Sequence, residues 1–331
     1  MQTHSGEFYY INFDGSFIKN ELNIWPGIYN SLERVCVPLF VMISGYLLLP
    51  MKTDYTTFLK KRFLRVAIPF IVFCIAYAIF FYFSGYINIA TTLVNIPKIF
   101  INFGTDIGHL WYIYMILGIY LYIPIISPWI KTAEKSHFYY YLIIWIISTF
   151  NEYLHKIYPL IWGEQYWNNT GLLQSFIGNF GYAVCGAFIK LHLKDKNLYL
   201  IGIILFIVGS AITMGGFFYQ RTRVDTCKEV EVTWHFNNFN LAIQSIGFFL
   251  LFRKIECKNK FICSLFNDIA LKSYGMYLIH IFFLRLYYNL FNGAERHPSW
   301  FIWILSILTF VTSYLAVKGI SYIPYSQYII G

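Results

Sequence analysis

The sequence predicts an all-α fold, a polytopic bundle of transmembrane helices, on three observations. Hydrophobic residues make up 58% of the chain and charged residues only 12%, whereas soluble domains carry about 25% charged residues. The apolar residues come in blocks of about 17 to 25, which is the length of helix that crosses the hydrocarbon core of a bilayer. Runs such as YYYLIIWIIS (139–148) and LYLIGIILFIVG (198–209) are apolar on every face, which excludes the alternating pattern of a transmembrane barrel.

The apolar blocks predict nine complete spans joined by short polar connectors. They lie at 33–50, 66–83, 109–127, 138–150, 172–191, 198–219, 237–252, 265–290 and 300–318. No repeat of fixed period and no low-complexity linker divides the chain. Residues 1–331 are therefore expected to form a single integral membrane domain.

Basic residues give the orientation of the bundle. The connectors that start at 51, 128, 192 and 252, together with the C-terminal end, hold fifteen lysines and arginines, against eight in the alternate connectors. Because cytoplasmic loops are enriched in basic residues, the first set and the C-terminus are predicted to lie in the cytoplasm. The net charge of +9 is then explained by the orientation of the protein in the cytoplasmic membrane and by contact with membrane lipids. A nucleic-acid partner is not expected.

The first residues do not fit this topology. Nine spans and a cytoplasmic C-terminus place the segment before residue 33 outside, yet no signal peptide precedes it. The opening MQTHSGEFYYINFDGSF (1–17) is typical of the last turn of a helix that runs into an exterior loop. Our hypothesis is that the chain begins inside a truncated first span, most of which lies upstream of Met1.

Histidines in the spans are the first candidates for chemistry, because polar groups within a membrane are costly and often functional. His4, His109 and His280 lie in or at the edge of spans. Tyr277 and His280 are three residues apart, so a phenol and an imidazole share one helical face. The cysteines form no CxxC pair, and neither a metal site nor a disulfide framework is expected.

A basic segment after the first span is a candidate for ligand binding. Arg62 and Arg65 in FLKKRFLRVAIPF (58–70) share a face if the segment is helical. Two guanidinium groups suit a multiply phosphorylated ligand, although a cluster attracted to anionic lipid headgroups has the same pattern. Just before it, Ser44, Gly45 and Tyr46 interrupt an aliphatic run, and a glycine there favours close helix approach.

Four segments together resemble the acyltransferase 3 family of integral membrane acyltransferases. They are RVCVPLFVMISGYLLLP (34–50), FLKKRFLRVAIPF (58–70), HLWYIYMILGIYLYIPII (109–126) and SYGMYLIH (273–280), in the family's order. The resemblance implies a ten-helix fold and transfer of an acyl group, with acetyl as the first expectation, from acyl-coenzyme A to a hydroxyl of an envelope or exported glycan. His4 matches the family's essential histidine, while the arginine that precedes it in the family would fall before Met1.

The resemblance also implies roles for the candidate residues. Arg62 and Arg65 match the paired arginines associated with acyl-coenzyme A, and Ser44 and Tyr46 are further candidates for donor contacts. His4 is the candidate general base. His109, Tyr46, Tyr277 and His280 are candidate oxyanion donors, which the sequence does not rank. A flippase or polymerase of lipid-linked oligosaccharides would have a similar composition, and an inactive, truncated acyltransferase is the third interpretation.

Overall fold

The structure, a computed structural model, describes residues 1–12, 15–83, 85, 88–101, 108–157, 173–194 and 196–331. Across these residues the regular structure is helical apart from two isolated β-bridges, which confirms the all-α prediction. In chain order the α-helices are α1 Gln2–Glu7, α2 Ile24–Glu33, α3 Cys36–Leu48, α4 Tyr55–Phe83, α5 Ile89–Lys98, α6 Trp111–Thr132, α7 Lys135–Ser148, α8 Asn151–Ile157, α9 Phe180–His192, α10 Tyr199–Gln220, α11 Cys227–Val230, α12 Phe239–Phe252, α13 Lys260–Leu290, α14 Pro298–Ile320 and α15 Gln327–Ile330.

Each predicted span contains a helix, but the helices differ in length. Within the described residues, six helical segments are long and apolar enough to cross a membrane: Glu21–Leu48, Tyr55–Phe83, Trp111–Thr132, Tyr199–Gln220, Lys260–Leu290 and Pro298–Ile320. Helices α7, α9 and α12 have 14, 13 and 14 residues, and at 1.5 Å per residue they extend only about 20 Å. The predicted start of the fifth span, residue 172, lies outside the described residues.

Two helix boundaries differ from the prediction in ways that matter for the site. The first span begins earlier than residue 33, because α2 and α3 form one rod with an interruption at Arg34 and Val35. Helix α4 begins at Tyr55 rather than at residue 66, so the basic segment is its first part and not a connector. Arg62 and Arg65 therefore do lie on a helix, three residues apart.

Glycines allow two helix pairs to pack with their backbones in contact. A Cβ atom at Gly45 on α3 would lie 1.9 Å from the carbonyl oxygen of Ala183 on α9, and one at Gly186 on α9 would lie 2.1 Å from that of Met42. Helices α10 and α12 meet in the same way at Gly247, where a Cβ would lie 2.8 Å from the Gly202 carbonyl oxygen. The expectation that Gly45 permits close helix approach is confirmed.

One disulfide corrects the cysteine interpretation. Cys257 and Cys263 are bonded, with their Cα atoms 5.7 Å apart, at the turn into α13. The turn brings together two residues whose spacing matches no disulfide motif, so the sequence carried no signal for the bond. Of the free cysteines, Cys36 is exposed and Cys74, Cys185 and Cys227 are buried.

The contact between α3 and α9 predicts that Gly45 does not tolerate a side chain. In Gly45→Ala the new methyl group would overlap backbone atoms of α9, and we expect a loss of about 3 kcal/mol or more of folding stability, above the usual cost of overpacking. Thermal unfolding of the detergent-solubilised protein measures it. Gly118→Ala on α6 is the matched control, because no heavy atom lies within 4 Å of its Cβ position. Equal unfolding temperatures for the two variants would contradict the packing argument.

Candidate active site

His4 is positioned by α1, a short helix that packs against α2 and α14. Ser5 and Gly6 face these two helices: Ser306 Oγ on α14 donates to Ser5 Oγ over 2.9 Å, and a Cβ at Gly6 would lie 3.2 Å from Asn30 Oδ1 on α2. Successive residues of a helix point about 100° apart. The side chain of His4 is thereby directed to α13 and the residues just before α6.

Three imidazole rings from distant parts of the chain meet at this point. The ring centroid of His4 lies 5.4 Å from that of His280 and 6.1 Å from that of His109, and the last two are 4.9 Å apart. His109 and His280 are buried, whereas a quarter of the His4 side chain is exposed (25%). The structure thus brings together the three histidines that the sequence singled out, and it leaves His4 as the accessible one.

The tautomer of His280 follows from its hydrogen bond. Nδ1 lies 2.6 Å from the main-chain oxygen of Tyr277, and a carbonyl oxygen can only accept, so Nδ1 carries the proton. In the neutral ring Nε2 then has a lone pair. Nε2 is buried and makes no hydrogen bond to any residue that the structure describes.

Glu7 completes the cluster and was not among the predicted site residues. Its Oε1 lies 2.9 Å from Nδ1 of His4, one helical turn earlier on α1. The Glu7 carboxylate also interacts electrostatically with Arg34 and His109. The i, i+3 spacing in HSGE (4–7) was the available signal, and the shortness of α1 concealed it.

The Tyr277 hydroxyl is hydrogen bonded to the main chain. It donates a hydrogen bond to the carbonyl oxygen of His109, and the two rings meet edge to face with centroids 5.5 Å apart. Tyr277 thereby fixes the chain at His109 just before α6. A hydroxyl held in this way is a support for the imidazole cluster rather than a ready donor to a substrate.

Reciprocal hydrogen bonds join α4 to α13. Tyr274 on α13 donates to the carbonyl oxygen of Val66 on α4 over 2.7 Å, and Tyr77 on α4 donates to that of Leu278 on α13 over 2.9 Å. The ring of Tyr77 also meets His109 edge to face at 5.3 Å. The helix that carries the arginine pair is thus fixed to the helix that carries His280.

The arginine pair lies in the first part of α4, before the point where Tyr274 bonds to Val66. The guanidinium carbon of Arg62 lies 5.8 Å from the ring centroid of Phe58 and 5.9 Å from that of Tyr120 on α6. The Tyr120 hydroxyl interacts with Ser44 on α3 and with both Arg62 and Arg65. Neither arginine is paired with a carboxylate in the described part of the chain. Ser44 therefore lies at the arginine end of the site.

Tyrosines connect the two ends. Tyr277 lies 5.7 Å from Tyr112 and 6.4 Å from Tyr274 between ring centroids, and Tyr274 interacts electrostatically with Tyr112 and Tyr120. Cys36 interacts electrostatically with Tyr112 and Tyr277. The Cys36 side chain has solvent-accessible surface, although the surrounding protein removes part of its hydration. Both observations hold if Cys36 lines an internal cleft instead of the outer surface.

Tyr46 is not part of this arrangement. Its ring packs against Phe249 on α12, with centroids 5.7 Å apart, and it interacts electrostatically with Arg253 at the end of that helix. Although Ser44 and Tyr46 are two residues apart, they lie on different faces of α3 because successive helical residues rotate by about 100°. The structure brings Ser44, but not Tyr46, to the arginine pair.

A partly buried ion pair ties the N-terminal segment to the bundle. Arg34 Nη2 donates to Glu231 Oε1 over 3.0 Å and to the Tyr10 hydroxyl over 3.1 Å, while its guanidinium carbon lies 4.9 Å from the Trp234 ring centroid. The Tyr10 hydroxyl donates to Glu231 over 2.6 Å. Burial, and next the charge of Glu231, raise the pKa of Tyr10 well above its usual value, so the phenol keeps its proton.

Comparison with known proteins assigns the family. The family model of the acyltransferase domain of acyltransferase 3 proteins matches residues 2–318. The chain belongs to the acyltransferase 3 family. No curated protein and no solved structure shows a significant match.

Membership in the acyltransferase 3 family decides between two of the sequence interpretations. The protein is a multi-pass membrane protein and an acyltransferase, so the flippase or polymerase interpretation is not retained. The matched residues include all the candidate site residues, from His4 to His280.

The partly buried pair of Arg34 and Glu231 predicts a measurable stability effect. In Arg34→Met the carboxylate of Glu231 loses its charged donor, and a hydrogen bond to a charged group contributes about 1.5–3 kcal/mol. Arg221→Met is the matched control, because its partner Glu21 is 91% exposed and an exposed pair contributes about 0–1 kcal/mol. Thermal unfolding in detergent compares the two variants. An unfolding temperature as high for Arg34→Met as for Arg221→Met would show that the pair does not anchor the segment.

Proposed function

We propose that the protein transfers an acyl group, in first place acetyl, from acyl-coenzyme A to a hydroxyl group of an envelope or exported glycan. The observation that supports this proposal is the arrangement of the site. A cluster of histidines containing one accessible imidazole is joined by tyrosines to a pair of arginines that have no carboxylate partner among the described residues. The histidines can serve acyl transfer, and the arginines can hold the phosphates of the donor.

The orientation inferred from basic residues fits the two ends of this site. We propose a cytoplasmic membrane location, with the start of α4 and the C-terminus in the cytoplasm, where acyl-coenzyme A is made. On α13, Tyr274 lies beside the start of α4 and His280 lies six residues further, which is a rise of about 9 Å. The pantetheine arm of a donor held at Arg62 and Arg65 would cover this rise, and the thioester would arrive next to the histidines.

His4 is the general base in this proposal. A sugar hydroxyl attacks a thioester poorly unless its proton is removed in the transition state. Nε2 of His4 would take that proton while the oxygen forms its bond to the thioester carbon. Collapse of the tetrahedral intermediate then breaks the carbon–sulfur bond, and the coenzyme A thiolate leaves and recovers the proton from His4. His4 is preferred over His280 because His280 is fully buried while His4 is accessible.

His109 is the oxyanion donor that we favour among the four candidates. The Tyr277 hydroxyl already donates to a main-chain carbonyl, and Tyr46 lies against α12. Neutral His280 has its proton on Nδ1, where it is held by the Tyr277 carbonyl, so its Nε2 can accept but not donate. An imidazole N–H in a water-poor site stabilises an oxyanion by about 3–4 kcal/mol in comparable enzymes.

The proposal predicts that His4 is required for transfer. With His4→Gln, we expect base-labile acetyl incorporated from radiolabelled acetyl-coenzyme A into the envelope glycan fraction to fall at least about 100-fold, as loss of a general base does. Membranes of a strain lacking the gene, complemented with each variant, give the measurement. His235→Gln is the control, because this histidine pairs with Glu152 outside the cluster. Substantial transfer by His4→Gln would remove His4 from the role of base, and no transfer by the unaltered protein would favour the inactive interpretation.

The arginine pair predicts a defect in donor binding that a native cysteine can report. Cys36 should react with a maleimide, and a thioether analogue of acetyl-coenzyme A should slow the reaction if the donor occupies the cleft. We expect Arg62→Gln and Arg65→Gln each to raise the analogue concentration that gives half-maximal protection about tenfold or more. Each substitution removes a charge-assisted contact to phosphate. The variant Cys36→Ser measures how much maleimide the other cysteines take up.

Lys60→Gln is the matched control for the arginines. It removes one positive charge from the same turn of α4, but at about 160° around the helix from Arg62. Protection should be unchanged in this variant. If all three substitutions weaken protection equally, the arginines interact with anionic lipid headgroups and do not bind the donor. If the analogue never protects Cys36, the donor does not pass through the cleft.

A further inference from the structure

Glu7, the last residue of α1, carries a negative charge at a position where it does not stabilise the helix. Glu7 is an acidic residue at the C-terminal end of α1, where the helix dipole disfavours a negative charge by about 0.3–1 kcal/mol. Its side chain is 37% exposed, and it interacts electrostatically with His4, Arg34 and His109. A carboxylate kept in such a place needs a partner, and the imidazole of His4 is that partner.

The hydrogen bond between the two side chains fixes the state of His4. An ionised carboxylate can only accept, so the contact of 2.9 Å requires the proton of the neutral imidazole to be on Nδ1. Nε2 is then the atom with the lone pair. This is the tautomer that a general base needs, and the hydrogen bond also restricts rotation of the ring.

The surroundings of His4 make a carboxylate useful during the reaction. His109 and His280 lie within 6.1 Å and 5.4 Å between ring centroids, and neither offers a negative charge to an imidazolium. Arg34 also interacts with Glu7, but its guanidinium group is already hydrogen bonded to Glu231. Glu7 is therefore the carboxylate, among the described residues in contact with His4, that can stabilise the positive charge when His4 takes up a proton.

We propose that Glu7 is a positioning residue for the base: it holds His4 in the productive tautomer and orientation and stabilises the imidazolium formed in the transition state. The inference rests on the proposed function, in which His4 is the base. It assigns to HSGE (4–7) a dyad in which the histidine contacts the substrate and the glutamate acts through the histidine. Comparable carboxylate–imidazole pairs contribute several orders of magnitude to turnover.

Glu7→Gln tests the dyad, because glutamine keeps the size of the side chain and removes the charge. In the acetyl transfer assay we expect kcat to fall about 100-fold, within the range of general base effects, while KM for acetyl-coenzyme A stays within twofold. Protection of Cys36 by the thioether analogue should also be unchanged, since Arg62 and Arg65 are not affected. Glu7→Asp, which restores the charge on a shorter side chain, should recover part of the lost kcat.

Glu21→Gln is the matched control, because it makes the same substitution at an exposed glutamate outside the histidine cluster. If Glu7 has a purely structural role, both Glu7→Gln and Glu7→Asp should lower the unfolding temperature. In that case Glu7→Asp should not recover kcat. If the unaltered protein transfers acetyl and His4→Gln abolishes transfer, yet Glu7→Gln keeps kcat within twofold, the inference is wrong and the proposed function stands. If transfer does not depend on His4, the proposed function fails first.

Discussion

The contact among three imidazole rings inside an apolar bundle is the constraint on which the rest of the site depends. With centroids 4.9–6.1 Å apart, two protonated rings would repel strongly in surroundings with little water. In the proposed function one proton leaves the attacking hydroxyl and returns to the departing thiolate within the same turnover, so the reaction never requires two charged rings at once.

Such a cluster needs rigid support, and the supports come from three directions. The hydroxyl of Tyr277 holds the chain at His109, the reciprocal tyrosine bonds fix α13 to α4, and the pair of Arg34 and Glu231 secures the segment after α1. The tyrosine bonds use polar groups that would otherwise be unsatisfied within the membrane, where an unpaired donor costs several kcal/mol. The same bonds thus hold the fold together and position the histidines.

The sequence predicted the parts of this structure that depend on local chemistry. Span length and composition were enough for the helical bundle, and the cost of polar groups in a membrane was enough to select His4, His109 and His280. The three-residue spacing of Arg62 and Arg65 was informative because α4 extends through them. These signals are contained within one helix turn or one span, which is why they could be read without knowledge of the packing.

The parts that were missed depend on packing between distant segments. Glu231 lies 197 residues from Arg34, and nothing in either local sequence indicates the pair. Ser44 and Tyr46 looked equivalent, but only the rotation of α3 against its neighbours separates the residue near Tyr120 from the residue near Phe249. Glu7 is the exception, since its spacing from His4 was visible and only the shortness of α1 concealed it.

The tyrosines explain how one bundle can connect a charged end to a catalytic end without admitting bulk water. A line of lysines or glutamates between the arginines and the histidines would carry a high desolvation cost, and a line of leucines would offer nothing to the amides of a pantetheine arm. Phenol rings provide apolar area along with one hydroxyl each, and several of these hydroxyls, such as those of Tyr77 and Tyr274, are satisfied by carbonyl groups of the neighbouring helix. In the proposed function, a path of this kind lets the pantetheine arm pass without charged side chains beside it, while Arg62 and Arg65 hold the phosphates at the other end.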